Sequence, residues 1–270
     1  MKKVFCLVMF GMILFPGFSQ TNSQERAASV LIGKSRIYFH RQGAGNPVVV
    51  FVSGMAHDHT TWKSVQDSIS VKTLTVSYDR AGLGKSEYHG EGKNITAMAT
   101  ELNELLSKIA IPSPFILVGH SLGCQIIKKY ASLYPKQIKG LVFVDPGYDE
   151  NLLKSRIPDS LWQKRNEMIK KYQMEFNDAQ EAENKMRNES CEEADKITQL
   201  PNVLVVLLTA TMVTGFPASA MEQKLKKERH LSWLKTIPGA KHILVNTSWH
   251  YIHTDAPAEV VKAIETLIAK

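Results

Sequence analysis

The sequence predicts a doubly wound, mainly parallel α/β sheet carrying a helical insertion. Three observations point there. Short apolar runs alternate with segments of helical spacing along most of the chain, the order that strand–helix–strand units produce. The runs are continuous, as in Val48-Val49-Val50-Phe51-Val52, which is the pattern of strands covered on both faces. The alternation breaks once, over residues 148–200, where charged residues leave no convincing strand.

Taken in order, residues 36–41 read as an early strand, ended by Gly43-Ala44-Gly45-Asn46-Pro47. The run at 48–52 and the β-branched run at 72–78 are the next strands. Residues 94–109 have helical spacing, with Ile95, Met98, Leu102, Leu105, Leu106 and Ile109 on one face. A strand at 115–118 leads directly into a helix at 122–134. Buried strands are expected at 141–144, 203–208 and 243–245, and an amphipathic helix at 258–268 closes the chain. Residues 27–147 and 201–270 thus form the core. The insertion at 148–200 carries Lys164-Arg165-Asn166-Glu167 and Glu181-Ala182-Glu183-Asn184-Lys185, with Leu161, Trp162, Met168 and Phe176 between them. It reads as several amphipathic helices placed as a lid over the strand ends, where open α/β sheets put their sites.

With 44% hydrophobic and 22% charged residues over 270 positions, the chain is neither disordered nor collagen-like, and it is long enough to bury a core without staples. Cys6, Cys124 and Cys191 make no C-x-x-C pair and no zinc spacing. A disulfide framework is excluded, and a single Cys124–Cys191 bridge stays open. The charge of +7 is spread thinly over the chain. It reads as a solvated face, not as a nucleic-acid footprint.

Met1-Lys2-Lys3 gives a basic start, the next residues to Phe15 are almost wholly apolar, and Pro16-Gly17-Phe18-Ser19-Gln20 ends the run with small and turn-forming residues. This is the three-part pattern of a signal peptide over residues 1–20, too short to span a bilayer comfortably. The expectation is a protein exported to the periplasm or medium, cleaved near Ser19, with no stable membrane insertion afterwards.

The chemistry lies at the turn after residue 118. Gly119-His120-Ser121-Leu122-Gly123 is a G-x-S-x-G pentapeptide set directly between a strand and a helix, the setting of a nucleophile elbow. Ser121 at the start of a helix meets backbone N–H groups that favour developing negative charge. A serine hydroxyl needs a base. His40, His89 and His230 lie in polar segments and read as surface residues, and His120 packs within the turn. His250, in Ser248-Trp249-His250-Tyr251-Ile252 after the last strand, opens on the same edge as the elbow. It is preferred to His253, three residues further on.

Taken together these segments resemble an α/β-hydrolase-fold serine hydrolase of the esterase/lipase kind, over residues 27–270. Ser53-Gly54-Met55 after the 48–52 strand is similar to the family's strand ending in His-Gly-x. Tyr78-Asp79-Arg80-Ala81-Gly82-Leu83-Gly84-Lys85-Ser86 is similar to its D-x-x-G-x-G-x-S stretch. The segment from Ser248 to Ile252 with Asp255-Ala256-Pro257 is similar to its terminal S-G-H-x-I…D-x-P segment. Ser53 stands for the usual histidine and Trp249 for the usual glycine. The resemblance implies a Ser-His-Asp triad acting on an ester, or less readily an amide, with no cofactor. The acid often follows the strand after the lid, but no Asp or Glu occurs there before Glu222. The family's other position is the end of the preceding strand, which offers Asp145 in Val144-Asp145-Pro146, with Asp149 and Glu150 as alternatives. Leu122 by position, and Met55 by the family pattern, supply the backbone N–H groups of an oxyanion hole.

His57-Asp58-His59 does not make a recognisable metal site. Serine at the elbow disfavours chemistry that needs an aspartate nucleophile. A cofactor-free haloperoxidase or C–C hydrolase using the same triad stays open, as does a binding protein that has kept the fold without catalysis. The missing acid after residue 208 is the one feature favouring the last.

Overall fold

The structure, a computed structural model, describes residues 26–172 and 175–270. The expected signal segment lies outside the described residues. The strands are β1 (Arg26–Ile32), β2 (Ser35–Gln42), β3 (Val49–Val52), β4 (Thr75–Tyr78), β5 (Phe115–His120), β6 (Ile138–Val144), β7 (Leu204–Ala210) and β8 (Lys241–Val245). They form one sheet in the order β1-β2-β4-β3-β5-β6-β7-β8. β1 and β2 are antiparallel to their neighbours, and every pairing from β4 to β8 is parallel. The mainly parallel, doubly wound sheet read from the sequence is therefore the fold.

Helices cover both faces. α1 (Lys63–Ser70) and α10 (Pro257–Ile268) lie on one, α2 (Ile95–Lys108) and α3 (Leu122–Leu133) on the other. Strand residues alternate between the two cores: Phe115 and Leu117 of β5 pack toward α2 and α3, Ile116 and Val118 toward α1 and α10. This period of two is what makes a continuous apolar run the signature of a two-sided strand. In α2, Ile95, Met98, Leu102, Leu105 and Leu106 are all buried, and Asn94 caps the helix by accepting from Ala97 N at 2.8 Å.

Between β6 and β7 the chain forms α4 (Glu150–Lys154), α5 (Asp159–Tyr172), α6 (Asp178–Lys185) and α7 (Arg187–Asp195), with no strand among the described residues. α8 (Ser219–Lys235) and the short α9 (Ile252–Asp255) complete the fold. Because β3, β5, β6 and β7 are parallel, their C-terminal ends Val52, His120, Val144 and Ala210 meet at one edge. Cys124 and Cys191 are both buried and free, which closes the possibility of a bridge between them. Among the described residues no helix is long and apolar enough to cross a membrane.

Candidate active site

Ser121 joins β5 to α3 with φ 51° and ψ −114°, a region that non-glycine residues adopt only under constraint. The constraint comes from crowding. A Cβ at Gly119 would lie 2.5 Å from Gly123 O, and one at Gly123 would lie 2.2 Å from Val52 O. Only glycine at both positions lets the helix pass this close to β3 and β5. The turn is tied down by Ser121 N donating to Val144 O at 3.1 Å and Cys124 N to Ser121 O at 3.0 Å. The side chain of Ser121 lines a cavity of about 180 Å³, together with Met55, Leu122, Lys226, Trp249 and His250.

Asp145 follows β6 directly, also at positive φ (45°), and is fully buried. Its Oδ1 accepts from Ala210 N at 2.9 Å. Its Oδ2 accepts from His250 Nδ1 at 2.7 Å and from Lys226 Nζ at 2.7 Å. Burial alone would push this carboxyl upward. The Lys226 charge and the His250 hydrogen bond outweigh burial and hold it down at about 2. Nδ1 must be the donor to an ionised carboxylate, so Nε2 of His250 is the ring nitrogen free to act as a base. His250 is one-fifth exposed, at the cavity. Among the described residues no hydrogen bond joins Ser121 Oγ to His250.

The amides of Met55 and Leu122 donate to no other described residue, and both residues line the cavity. The peptides flanking Met55 are held from outside the loop. Arg80 Nη1 donates to Ser53 O and Nη2 to Gly54 O, each at 2.7 Å. Ala56 N donates to Glu183 Oε2 at 2.9 Å. Glu183 comes from α6 and pairs with Arg80 Nε at 2.8 Å, both side chains fully buried. Burial opposes ionisation of Glu183, but Arg80 and Lys93 overcome it and hold its carboxyl below the usual range. The far wall is polar: Arg165 Nη2 lies 2.8 Å from Glu222 and 2.9 Å from Glu150, and Arg187 pairs with Glu150.

The structure thus brings Ser121, His250, Asp145, Met55 and Leu122 to one sheet edge. None of the alternatives takes the place of Asp145 or His250, although Glu150 lines the cavity. Asp149 caps α4, accepting from Asn151 N at 2.8 Å, and Glu150 sits between two arginines. His253 is buried against Trp62 and His120 and pairs through Nε2 with Thr61 Oγ1 at 2.8 Å. One expectation is corrected: His230 is not a surface residue. It is fully buried, with Nδ1 2.7 Å from Thr209 Oγ1 and Nε2 donating to Pro146 O at 2.8 Å, because α8 packs it under the Asp145 turn. Asp58, His59 and Asp79 bring three ligand-type atoms within 4.8 Å of one another. Asp79 Oδ1 already accepts from the His59 backbone N–H and meets its ring, each at 2.7 Å, and Asp58 caps a turn at Thr60. Sequence reasoning missed Lys226. Its only signal was a lysine on the helical face that carries Glu222, Leu225 and His230.

The comparisons with known proteins agree with this architecture. The chain is 28% identical over 227 residues to YqjL of Bacillus subtilis, an alignment spanning 83% of this chain and 85% of that one. A thermophilic esterase of Thermogutta terrifontis superposes with a TM-score of 0.65 at 19% identity, over 91% of this chain and 98% of its own. The epoxide hydrolase CorEH superposes with a TM-score of 0.69 at 16% identity, over 91% of this chain and 99% of its own. At such identities the structural likeness speaks for the fold. The alpha/beta hydrolase fold family matches residues 47–226, from the turn before β3 well into α8 and across Gly119–Gly123 and Asp145, and the protein belongs to that family.

Proposed function

We propose that this hydrolase cleaves small-molecule esters, and amides less readily, through an acyl-enzyme formed on Ser121. The observation that carries the reading is the 2.7 Å contact of Asp145 with His250 Nδ1, at the cavity that Ser121 lines. Ser121 Oγ attacks the ester carbonyl carbon while His250 Nε2 takes the hydroxyl proton. The tetrahedral oxyanion rests on the Met55 and Leu122 amides, which have no competing acceptor to release. His250 then returns the proton to the leaving alkoxide. Water, deprotonated by the same nitrogen, hydrolyses the acyl-enzyme. Asp145 fixes the imidazole tautomer and offsets its charge. The serine–histidine hydrogen bond closes when substrate expels solvent, as in many ligand-free sites. Helices α4–α7 act as the lid, with α6 holding the oxyanion loop.

A non-catalytic binding role loses its one support, because the acid absent after β7 is supplied from the end of β6. The test is Ser121→Ala assayed with short p-nitrophenyl esters and a fluorophosphonate probe. Labelling should vanish and kcat should fall by roughly 10³-fold or more; near-normal turnover in the variant removes Ser121 from the mechanism. The basic and apolar leader supports action outside the cytoplasm. The exported chain should lack about 20 residues by intact mass, and a chain recovered with Met1 intact argues against export.

A further inference from the structure

Asp145 holds the Lys226 ammonium as well as His250, and both meet the same carboxylate oxygen. A carboxylate has two oxygens. A lysine present only to neutralise buried charge would sit well on the one that His250 leaves free. Here Oδ1 is taken by the Ala210 amide, and Lys226 Nζ binds Oδ2, the oxygen that His250 uses. The same ammonium donates to Trp249 O at 2.7 Å, the carbonyl of the residue before His250. Lys226 is 3% exposed and lines the cavity.

We propose that Lys226 is a positioning residue that shares Asp145 with His250 and, through the shared oxygen, sets the pH below which His250 ceases to be a base. The proposal rests on the reading of His250 as the general base. A fixed positive charge held on the same carboxylate oxygen opposes a second positive charge on the imidazole. In exchange, Asp145 keeps its charge in a fully buried position. The histidines facing the pair carry little charge near neutral pH. Burial pushes His57 from the β3 loop, His120 from β5 and His253 from α9 below the ordinary histidine value. It pushes His230 of α8 down to about 4. Arg229 of α8 is engaged with Gly147 O and Asp195. Across the cavity stand Glu150, Glu222, Arg165 and Arg187, paired with one another, and Ser121 and Tyr251 are uncharged neighbours of the ring.

The experiment is Lys226→Met, with kcat/KM followed against pH on p-nitrophenyl acetate and the His250 ring titrated by NMR. Both midpoints should move up by about one pH unit, and Lys226→Arg should restore them toward wild type. Gln223→Leu removes only the neighbouring 2.9 Å hydrogen bond to Trp249 O, and it should leave both midpoints in place. Should the methionine variant fail to fold, Lys226→Gln, which donates without charge, gives the same reading. A fall in kcat at every pH with unmoved midpoints overturns the proposal and leaves Lys226 a structural anchor. The NMR titration separates the two claims: it tests Lys226 even if no ester is turned over, whereas a silent wild-type enzyme counts against the function alone.

Discussion

Ile116 and Val118 in β5 and Glu183 in α6 are all sealed from solvent, yet by opposite means. The two strand residues sit among apolar side chains of α1, α10 and the neighbouring strands. Such contacts are non-directional, and many hydrophobic residues of similar size would serve. Glu183 is buried by partners that match it atom for atom: Arg80, Lys93 and the Ala56 amide. Removing one partner leaves a charge without water or counter-charge. The sheet body is therefore tolerant of detail and the insertion is not. The insertion's intolerant contact is also the one that holds the loop presenting the Met55 amide.

This contrast can be broken or sharpened by experiment. Glu183→Gln changes one atom, yet it strips Arg80 of its buried counter-charge. It should cost about 3–5 kcal/mol in urea unfolding, with kcat falling because the Arg80 guanidinium that holds Ser53 O and Gly54 O loses the carboxylate that orients it. Ile116→Val deletes a methylene from a fully buried strand position and should cost only about 0.5–1.5 kcal/mol, with activity kept. If the two costs came out alike, the contrast would be wrong.

A smaller effect comes from the seam between the two regions. Glu101 of α2 accepts from Ala81 N, and burial pushes its carboxyl up to about 7 despite Lys93 and Arg80 nearby. Between its ordinary value near 4.5 and 7, the unfolded chain has released this proton while the folded chain keeps it. Folded stability therefore falls as pH rises through that window. Wild-type protein should lose on the order of 2 kcal/mol between pH 5 and pH 8 through this group. Glu101→Gln should flatten that slope, as read from urea midpoints at the two pH values. An unchanged slope would mean that Lys93 and Arg80 keep Glu101 ionised in the fold.

The parallel strands, α2, α3 and α10 were legible because each buries an apolar face whose period shows directly in the sequence. β1 was not, since its apolar run is only Val30-Leu31-Ile32 and most of this edge strand is exposed. α8 was missed for a more telling reason. Its buried face holds Glu222, Leu225, Lys226, His230 and Trp233, so polar residues stand where the helical pattern wants apolar ones. His230 was misplaced by the same masking. A polar residue in a polar segment reads as solvated until its partners, here Thr209 and Pro146, are brought in from elsewhere in the chain.

By itself the sequence determined the sheet, the strained turn at Ser121 and the edge on which His250 opens. Hydrophobic period and glycine crowding are local properties, written within a few residues. Only the tertiary structure decided that Asp145, and not Asp149 or Glu150, reaches His250. It alone placed Lys226 on the same oxygen and Glu183 behind the Met55 loop. Those choices depend on angstrom-scale meetings between charged and polar groups 81 to 127 positions apart, and electrostatics between such groups leaves no periodic trace along the chain.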